Sequence, residues 1–589
     1  MATKNILELS EQEIVRRGSL EELRARGIDP FPAAEYVVTA HTEDIKKDFS
    51  DEAPRRQVTI AGRVMSRRIM GKASFLELQD SEGRIQVYVS RDDLCPGEDK
   101  EFYNTVIKKL LDIGDFIGVE GYVFRTQMGE ITVHAEKITF LGKSLRPLPI
   151  VKVKDGVTYD AFDDPELRYR RRYVDLVVND GVKDIFLKRT KVYNSMREYF
   201  NSAGYIEVET PILQSIPGGA SARPFITHHN ALDIPLYLRI ADELYLKRLI
   251  VGGFEGVYEF SKNFRNEGMD RTHNPEFTAM EIYVAYKDYN WMMDFTERML
   301  EKICLDVNGT TEVKVGDNTI SFKTPFPRVT MIDSIKHFTG IDISGMDEKQ
   351  LREVCGKLGI ETDESMGKGK LIDEIFGEKC EGNYIQPTFI IDYPIEMSPL
   401  TKRHRNNPEL TERFELMVNG KELANAYSEL NDPIDQYERF VEQMKLSEKG
   451  DDEAMIIDHD FIRALEYGMP PTSGMGIGMD RLVMLMTGQS TIQEVLLFPQ
   501  MRPEKTRKRD NEAVFAEVGV PGDWVAPLHK LGVLTVAQLA TTASAGKLQQ
   551  ELCGLNKKFK LELANPTIDD VKGWIAAAEK KYPAAEAEA

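Results

Sequence analysis

The spacing of apolar and polar positions changes period several times along the chain. Between Val58 and Leu141 the period is two, in five short runs: VTIAGRVMS, SFLELQD, RIQVYVS, FIGVEGYVFRT and ITVHAEKITFL. Strict alternation over so few residues predicts half-buried strands. One stretch at helical spacing, Glu101–Leu111, interrupts them. Ahead of this block, Leu20–Arg26 is predicted helical and stopped by Gly27, and DPFP (29–32) forces an extended turn. Behind it, Phe186–Gly204 has the period of an amphipathic helix and leads into a strand at Ile206–Thr210, then Pro211. In YEFSKNFRNEGMDRTHNPEFTAMEIY (258–283) two strand-like runs flank a polar, charged loop. Alternation there puts Phe277, Ala279, Glu281 and Tyr283 on one face. FELMVNGKELANAYSEL (414–430) holds Asn419–Gly420 between alternating runs, the strongest short-range hairpin signal. The region mixes antiparallel-looking strands with helices and contains no train of βαβ units, which predicts α+β.

Length and charge sharpen this picture. A chain of 589 residues holds more than one domain. The expected division is a helical segment (1–57), a small barrel (58–147), a linker (148–173), a large α+β body (174–510) with an insertion at about 340–385, and a helical extension (511–589). In the extension VAPLHKLGVLTVAQLA (525–540) has helix–glycine–helix character, and PAAEAEA (583–589) is expected to be disordered. No run of 18 apolar residues exists and the N-terminus lacks an apolar leader, so a cytoplasmic protein is expected. Five scattered cysteines form no CxxC pair, which argues against zinc or a disulfide framework. The net charge of −20 sits awkwardly with nucleic-acid binding, where phosphate contacts dominate affinity. Residues 57–146, however, carry 13 basic and 13 acidic side chains. Basic clusters at Arg67–Arg68, Arg168–Arg172 and Arg502–Arg509 are either nucleic-acid contacts or solvated faces. The extension has 8 basic against 10 acidic residues, which favours a docking role over an electrostatic nucleic-acid site.

Candidate chemistry follows from residue type. Five strands around one helix fit an oligonucleotide-binding barrel, on which Phe75 could stack a base and Gln86 read a base edge. Phe75 is equally readable as a core aromatic. The loop of 258–283 carries Arg265, Glu267, Arg271 and His273, and arginine suits phosphate because its planar fork donates two parallel hydrogen bonds. In GMGIGMDRLVMLMTGQSTIQEVLLFP (474–499), Gly474, Gly476 and Gly478 let backbone approach a ligand, and Arg481 sits where the run becomes helical. With a two-residue turn at Asn419–Gly420, Glu415 lies diagonal to Glu422 on one face, within reach of a shared Mg²⁺. No GxxxxGK[ST] occurs, so ATP, if used, binds without a P-loop.

These segments, in this order, resemble motifs 1, 2 and 3 of class II aminoacyl-tRNA synthetases. IPGGASARPF (216–225), LYLRIADELYLKRLIVGGF (236–254) and NAYSELNDP (425–433) narrow the resemblance to subclass IIb, bacterial lysyl branch, over about residues 1–505. The resemblance implies an N-terminal OB-fold barrel, an antiparallel-sheet catalytic domain and, through motif 1, a homodimer. It implies ATP-dependent ligation of L-lysine to tRNA(Lys) through a lysyl-adenylate, releasing AMP and pyrophosphate. Carried over by position, Gly219 and Glu243 receive the α-ammonium, Arg265 and Asn425 the carboxylate, and Glu281, Tyr283 and Glu429 the ε-ammonium. Arg265, Glu267, His273, Phe277, Glu422 and Arg481 hold ATP, with Arg265 and Arg481 catalytic. Glu415 and Glu422 hold Mg²⁺, and Arg68, Phe75, Gln86 and Glu130 contact the anticodon. The hairpin register puts Asn425, Tyr427 and Glu429 opposite Glu422, so both assignments require an irregularity near Ala424. No cation is expected in the amino-acid pocket. Rival readings are charging of aspartate or asparagine, lysylation of a protein by a paralogue lacking the barrel, and a catalytically dead RNA-binding relative.

Overall fold

The computed structural model describes residues 7, 9–149, 152–154, 157–159, 161–220, 222–363, 366–448, 457–504 and 508–582. The 583–589 tail, parts of the 148–173 linker and 505–507 of the basic run Arg502–Arg509 lie outside the described residues. The chain divides into two compact units, 1–161 with 503–589, and 162–502.

In the first unit, strands β1 (Gln57–Met70), β2 (Ala73–Gln79), β3 (Arg84–Ser90), β4 (Phe116–Arg125) and β5 (Ile131–Gly142) close into a barrel in the order β1-β2-β3-β5-β4. Alternation does the sorting: Leu76, Val87, Val119 and Val133 point inward, and their neighbours point outward. The interrupting helix is Phe102–Leu110. The N-terminal helix is Glu11–Ala25, starting nine residues before the expected Leu20. Ser10 and Glu13 form a reciprocal capping box there, a signal the apolar period does not carry. The C-terminal helices enclose their own apolar cluster around Phe515, Leu528, Leu539 and Trp574. Helices Gly522–Lys530 and Val536–Ala540 flank Gly532 at φ +91°. Lys530 Nζ donates to the Leu9 carbonyl at 2.8 Å, and Lys558 pairs with Glu11, so two of the extension's cations are engaged with the N-terminal segment.

The second unit is built on an eight-stranded sheet. Its strands are β6 (Ile206–Glu207), β7 (Gly256–Phe264), β8 (Glu276–Ala285), β9 (Arg328–Thr330), β10 (Thr388–Ile391), β11 (Arg413–Val418), β12 (Lys421–Ser428) and β13 (Thr472–Gly478), in the order β9-β10-β11-β12-β13-β8-β7-β6. The pairs across its middle are antiparallel. One face packs Met280, Ile282, Leu416, Ala426, Met475 and Ile477 against helices Val182–Ser202, Tyr289–Asn308 and Met479–Thr487. The opposite face carries the polar residues. β6 keeps only two residues of the expected Ile206–Thr210, although Val208 N still donates to the Tyr258 carbonyl at 2.9 Å. Residues 331–380 form a separate helical cluster with Ile335, Leu351, Leu371, Ile375 and Phe376 at its centre.

Arg168–Arg172 is resolved as a structural cluster. Arg168 pairs with Asp175 at 2.9 Å and Glu494 at 3.0 Å, and Arg172 is fully buried beside Asp175. Those guanidiniums hold the fold of the second unit.

Candidate active site

Hairpin β11–β12 has the required irregularity. Phe414 to Leu416 pair with Ala426 to Ala424, whereas Met417 and Val418 pair with Glu422 and Lys421. Leu423 is the extra residue, one position from the expected Ala424. A one-residue slip turns side chains to the other face. Glu415, Glu422, Asn425 and Tyr427 therefore share a face.

Register then lays out that face in rows. Glu415, Asn425, Gly476, Glu281 and Glu259 stand in one transverse row, and Arg413, Tyr427, Gly474, Tyr283 and Val257 in the next. The glycines of β13 run down the middle, so the face has a trough. At Gly476 an added Cβ meets only Glu281 Cγ at 3.7 Å, and at Gly478 only Arg481 at 3.7 Å or beyond. Neither position has the positive φ that reserves a site for glycine. The fold thus tolerates a side chain at Gly476, and the missing one leaves open space above the sheet. Gly474 differs: a Cβ there falls 2.2 Å from Glu429 Oε1 and 2.3 Å from the Tyr283 ring, so its absence seats those two groups.

One end of the trough is an acidic cup. Tyr427 OH donates to both Glu243 oxygens at 2.7 Å, and Tyr283 OH donates to Glu281 Oε2 at 2.9 Å. Asp242, fully buried, accepts from Ser261 Oγ at 3.0 Å. Gly219, at φ +87°, brings its loop beside Glu243: a Cβ there would lie 3.3 Å from Glu243 Cβ. Burial, with Asp242 and Glu243 adding to it, holds the Glu281 carboxyl well above its usual range. Burial likewise pushes Glu429 up to about 8, with Lys247 opposing and Glu243 adding. Carboxyls held this high favour an added cation, because burial outweighs the charge already beside them.

The other end is cationic. Arg265 follows β7, with its guanidinium 5.1 Å from the Phe277 ring centroid. Its buried Nε has no hydrogen-bond partner among the described residues. An orphaned buried donor of this kind marks a place for an incoming acceptor. Arg481 Nη1 donates to the Glu422 carbonyl at 2.7 Å, and its Nη2 lies 3.0 Å from His273 Nε2. A guanidinium only donates, so Nε2 accepts and Nδ1 carries the proton toward Asp270 Oδ2 at 2.8 Å. Arg413 Nη2 donates to Glu415 Oε1 at 2.6 Å. Burial pushes Glu415 up to about 7, with Arg413 opposing and Glu422 adding. Glu267 lies exposed in the loop, with no place in this network.

Two family profiles match the chain: tRNA synthetases class II (D, K and N) over residues 164–502, and the OB-fold nucleic acid binding domain over residues 58–141. The chain belongs to the class II tRNA synthetases of the D, K and N group. It is 74% identical over 575 residues to the lysine–tRNA ligase of Porphyromonas gingivalis strain W83, covering 97% of this chain and 99% of that one. The lysine–tRNA ligase of Azobacteroides pseudotrichonymphae genomovar. CFP2 is 71% identical over 497 residues, 84% of this chain and 99% of its own. That of Christiangramia forsetii is 68% identical over 507 residues, 86% and 89% of the two chains.

On this class II synthetase the barrel face is aromatic. Phe75 alternates with buried Ser74 and Leu76, which turns it outward and removes the core-aromatic reading. Its ring lies 5.1 Å from Tyr88, with the exposed Arg68 guanidinium 5.3 Å away. Gln86, opposite Glu77, donates to Thr132 Oγ1 at 2.9 Å, and Glu130 is exposed two residues before Thr132. Arg67 instead turns inward to the Ile107 carbonyl at 3.1 Å.

Four residues at the synthetase site escaped sequence reasoning: Asp242, Lys247, Arg413 and Tyr427. Contrary to expectation, cations do stand here. Lys247 is fully buried, 2.5 Å from Glu243 Oε1 and in contact with Glu429 Oε2. Its spacing of four from Glu243 on one helix was the available signal. Tyr427 lies on the same alternation as Asn425 and Glu429, and Arg413 on that of Glu415, whereas Asp242 carried no such signal.

Gly476→Val isolates the trough. The variant is expected to melt within a few degrees of wild type and to lose at least ~100-fold in ATP–pyrophosphate exchange, comparable to losing one strong transition-state donor. Thermal melting and exchange check both halves; retained exchange would mean the trough is not where substrate lies.

Proposed function

We propose that this protein ligates L-lysine to tRNA(Lys) in two steps, activating lysine with ATP as lysyl-adenylate and then transferring the lysyl group to tRNA. The observation that carries the reading is the pairing of an acidic cup with a guanidinium-lined end along one glycine trough. Relatives 68–74% identical over most of the chain and named lysine–tRNA ligase support it.

Lysine lies in the cup with its α-ammonium toward Glu243 and the Gly219 loop, its carboxylate toward Arg265 and Asn425, and its ε-ammonium toward Glu429, Tyr283 and Glu281. Buried ammonium groups require such acceptors, because a desolvated unpaired cation is costly. Adenine stacks on Phe277, with Arg265 on the α-phosphate and His273 and Arg481 toward the γ-phosphate. The lysine carboxylate oxygen then attacks the α-phosphorus in line and pyrophosphate leaves. The terminal adenosine hydroxyl of tRNA next attacks the lysyl carbonyl, releasing AMP. Positioning and charge neutralisation suffice, and no protein nucleophile is needed. Glu415 and Glu422 fit Mg²⁺: they share a face, and the Glu415 carboxyl stays raised even with the Arg413 guanidinium at 2.6 Å, so a further cation there is favoured. Among the described residues no cluster of three or more metal-ligating side chains occurs, which suits an ion that takes one or two carboxylates and completes its shell with phosphate and water. When bound, Mg²⁺ neutralises the phosphate oxygens. Glu267 remains a candidate for the nucleotide side.

The barrel takes the anticodon on Phe75, Gln86, Arg68 and Glu130. A homodimer is supported by apolar exposure in the motif 1 region, where Leu187 is 52%, Leu213 50% and Ile206 49% exposed. Among the described residues no helix is long and apolar enough to cross a membrane, in keeping with a cytoplasmic enzyme.

An exchange assay over twenty amino acids, followed by charging of tRNA(Lys), tests the function. Lysine alone is expected to support exchange at saturation. Exchange with aspartate or asparagine, or none with any amino acid, would contradict it.

A further inference from the structure

Lys247 is a fully buried cation at the amino-acid end of the site that no step above uses. It projects from helix Glu243–Val251, fully buried, between the Tyr427 ring at 5.5 Å and the Phe461 ring at 5.9 Å. Its ammonium lies 2.5 Å from Glu243 and in contact with Glu429, the two carboxylates proposed to receive the two substrate ammonium groups. Burying an ammonium is unfavourable by several kcal/mol unless its partners are close and well arranged. A helix needing only apolar packing would carry leucine or methionine at this position.

Its contacts give the residue a task. The groups facing it and its partners are Asp242 and Glu243 from the helix start, Glu281 and Tyr283 from β8, and Tyr427 and Glu429 from the β12 end. Lys247 is the one cation of this set, and it stands between Glu243 and Glu429, touching one oxygen of each. Each carboxyl group keeps its other oxygen toward the pocket. A diammonium ligand engages both groups, and a monoammonium amino acid leaves one of them unengaged.

We propose that Lys247 is a positioning and specificity-determining residue of the amino-acid pocket: a resident ammonium that holds Glu243 and Glu429 in place and eases the ionisation of Glu429 that lysine binding requires, so that the pocket takes both ammonium groups of one ligand. This rests on the lysine reading above. Without Lys247 the two carboxylates face each other with no fixed cation between them. Glu429, already pushed up by burial, then holds its proton to higher pH. Substrate lysine must displace that proton before its ε-ammonium can pair.

The test is the pH profile of kcat/KM for lysine in Lys247→Met and Lys247→Arg. For Lys247→Met the expected result is an acid limb displaced upward by at least one pH unit, a fall approaching ~10-fold in kcat/KM for lysine at pH 7.5 for a one-unit shift, and a KM for ATP within twofold of wild type. Lys247→Arg keeps the charge and is expected to restore the wild-type limb. A limb that stays in place, or lysine and ATP parameters that fall together, would overturn the proposal, because lost packing alone does both. Should Lys247→Met not fold, Lys247→Met/Glu429→Gln decides, since it removes the Lys247–Glu429 pair together and leaves Glu243 its hydrogen bond from Tyr427. It is expected to fold and to show no acid limb; failure to fold would assign Lys247 to structure alone. Glu429→Gln separates the two levels: an unaltered KM for lysine there refutes the lysine reading itself, whereas a raised KM with an unmoved limb in Lys247→Met refutes only this inference.

Discussion

Arg265→Ala is expected to abolish lysine-dependent pyrophosphate exchange while leaving the fold intact. Its guanidinium lies against Phe277, and its buried Nε has no partner among the described residues, so the folded protein loses little when the side chain goes. Developing charge on the α-phosphate loses a preorganised donor. Losing a single such donor typically removes ~3 kcal/mol of transition-state stabilisation, and a two-pronged guanidinium removes at least that. A rate loss of ~100-fold or more follows. Exchange within a few-fold of wild type would place the reacting phosphate elsewhere. Arg265→Lys is expected to recover little, because an ammonium cannot reproduce the planar fork.

Glu429→Gln is expected to raise the KM for lysine by ~100-fold or more and the KM for ATP by less than a few-fold, since leaving a buried ammonium unpaired costs about 3–5 kcal/mol. The sign of the pH dependence follows from the raised carboxyl. Glu429 is pushed up to about 8, so in the free enzyme it is largely protonated at neutral pH. Lysine binding favours its ionised form and releases the proton. Wild-type kcat/KM for lysine should therefore climb with pH through about 8 and level off above it, and Glu429→Gln should lack that limb. For stability the sign is opposite. A carboxyl with a folded pKa above its unfolded value of ~4.3 favours the folded state at low pH and loses that contribution as pH rises toward 8. Equal changes in both KM values would count against the pocket.

The periods of the sequence specified more of the fold than of the electrostatics. Alternation in 414–430, with Asn419–Gly420 between strands, set the hairpin register; a slip in β12 was required only by the residue roles that the resemblance implies, and Leu423 supplies it. The same alternation cannot say what stands across the sheet. Arg413 reaches Asn425 only because β11 pairs with β12 as it does, and Lys247 meets Glu429 across 182 positions of sequence. Phe75 was undecidable from its own run, since period two gives two faces without naming the inner one. Its pairing with Tyr88 on the outer side settles it. Arg168–Arg172 read as a basic patch because Glu494, the partner of Arg168, lies 326 residues away.

The most direct test of the central claim is a crystal structure with lysine and a non-hydrolysable ATP analogue. The acidic cup is expected to hold the lysine side chain, with its ε-nitrogen about 2.7–2.9 Å from a Glu429 oxygen, and the α-phosphate is expected against Arg265. A lysine ε-nitrogen directed to solvent, with Glu429 and Tyr283 remote from it, would contradict the account.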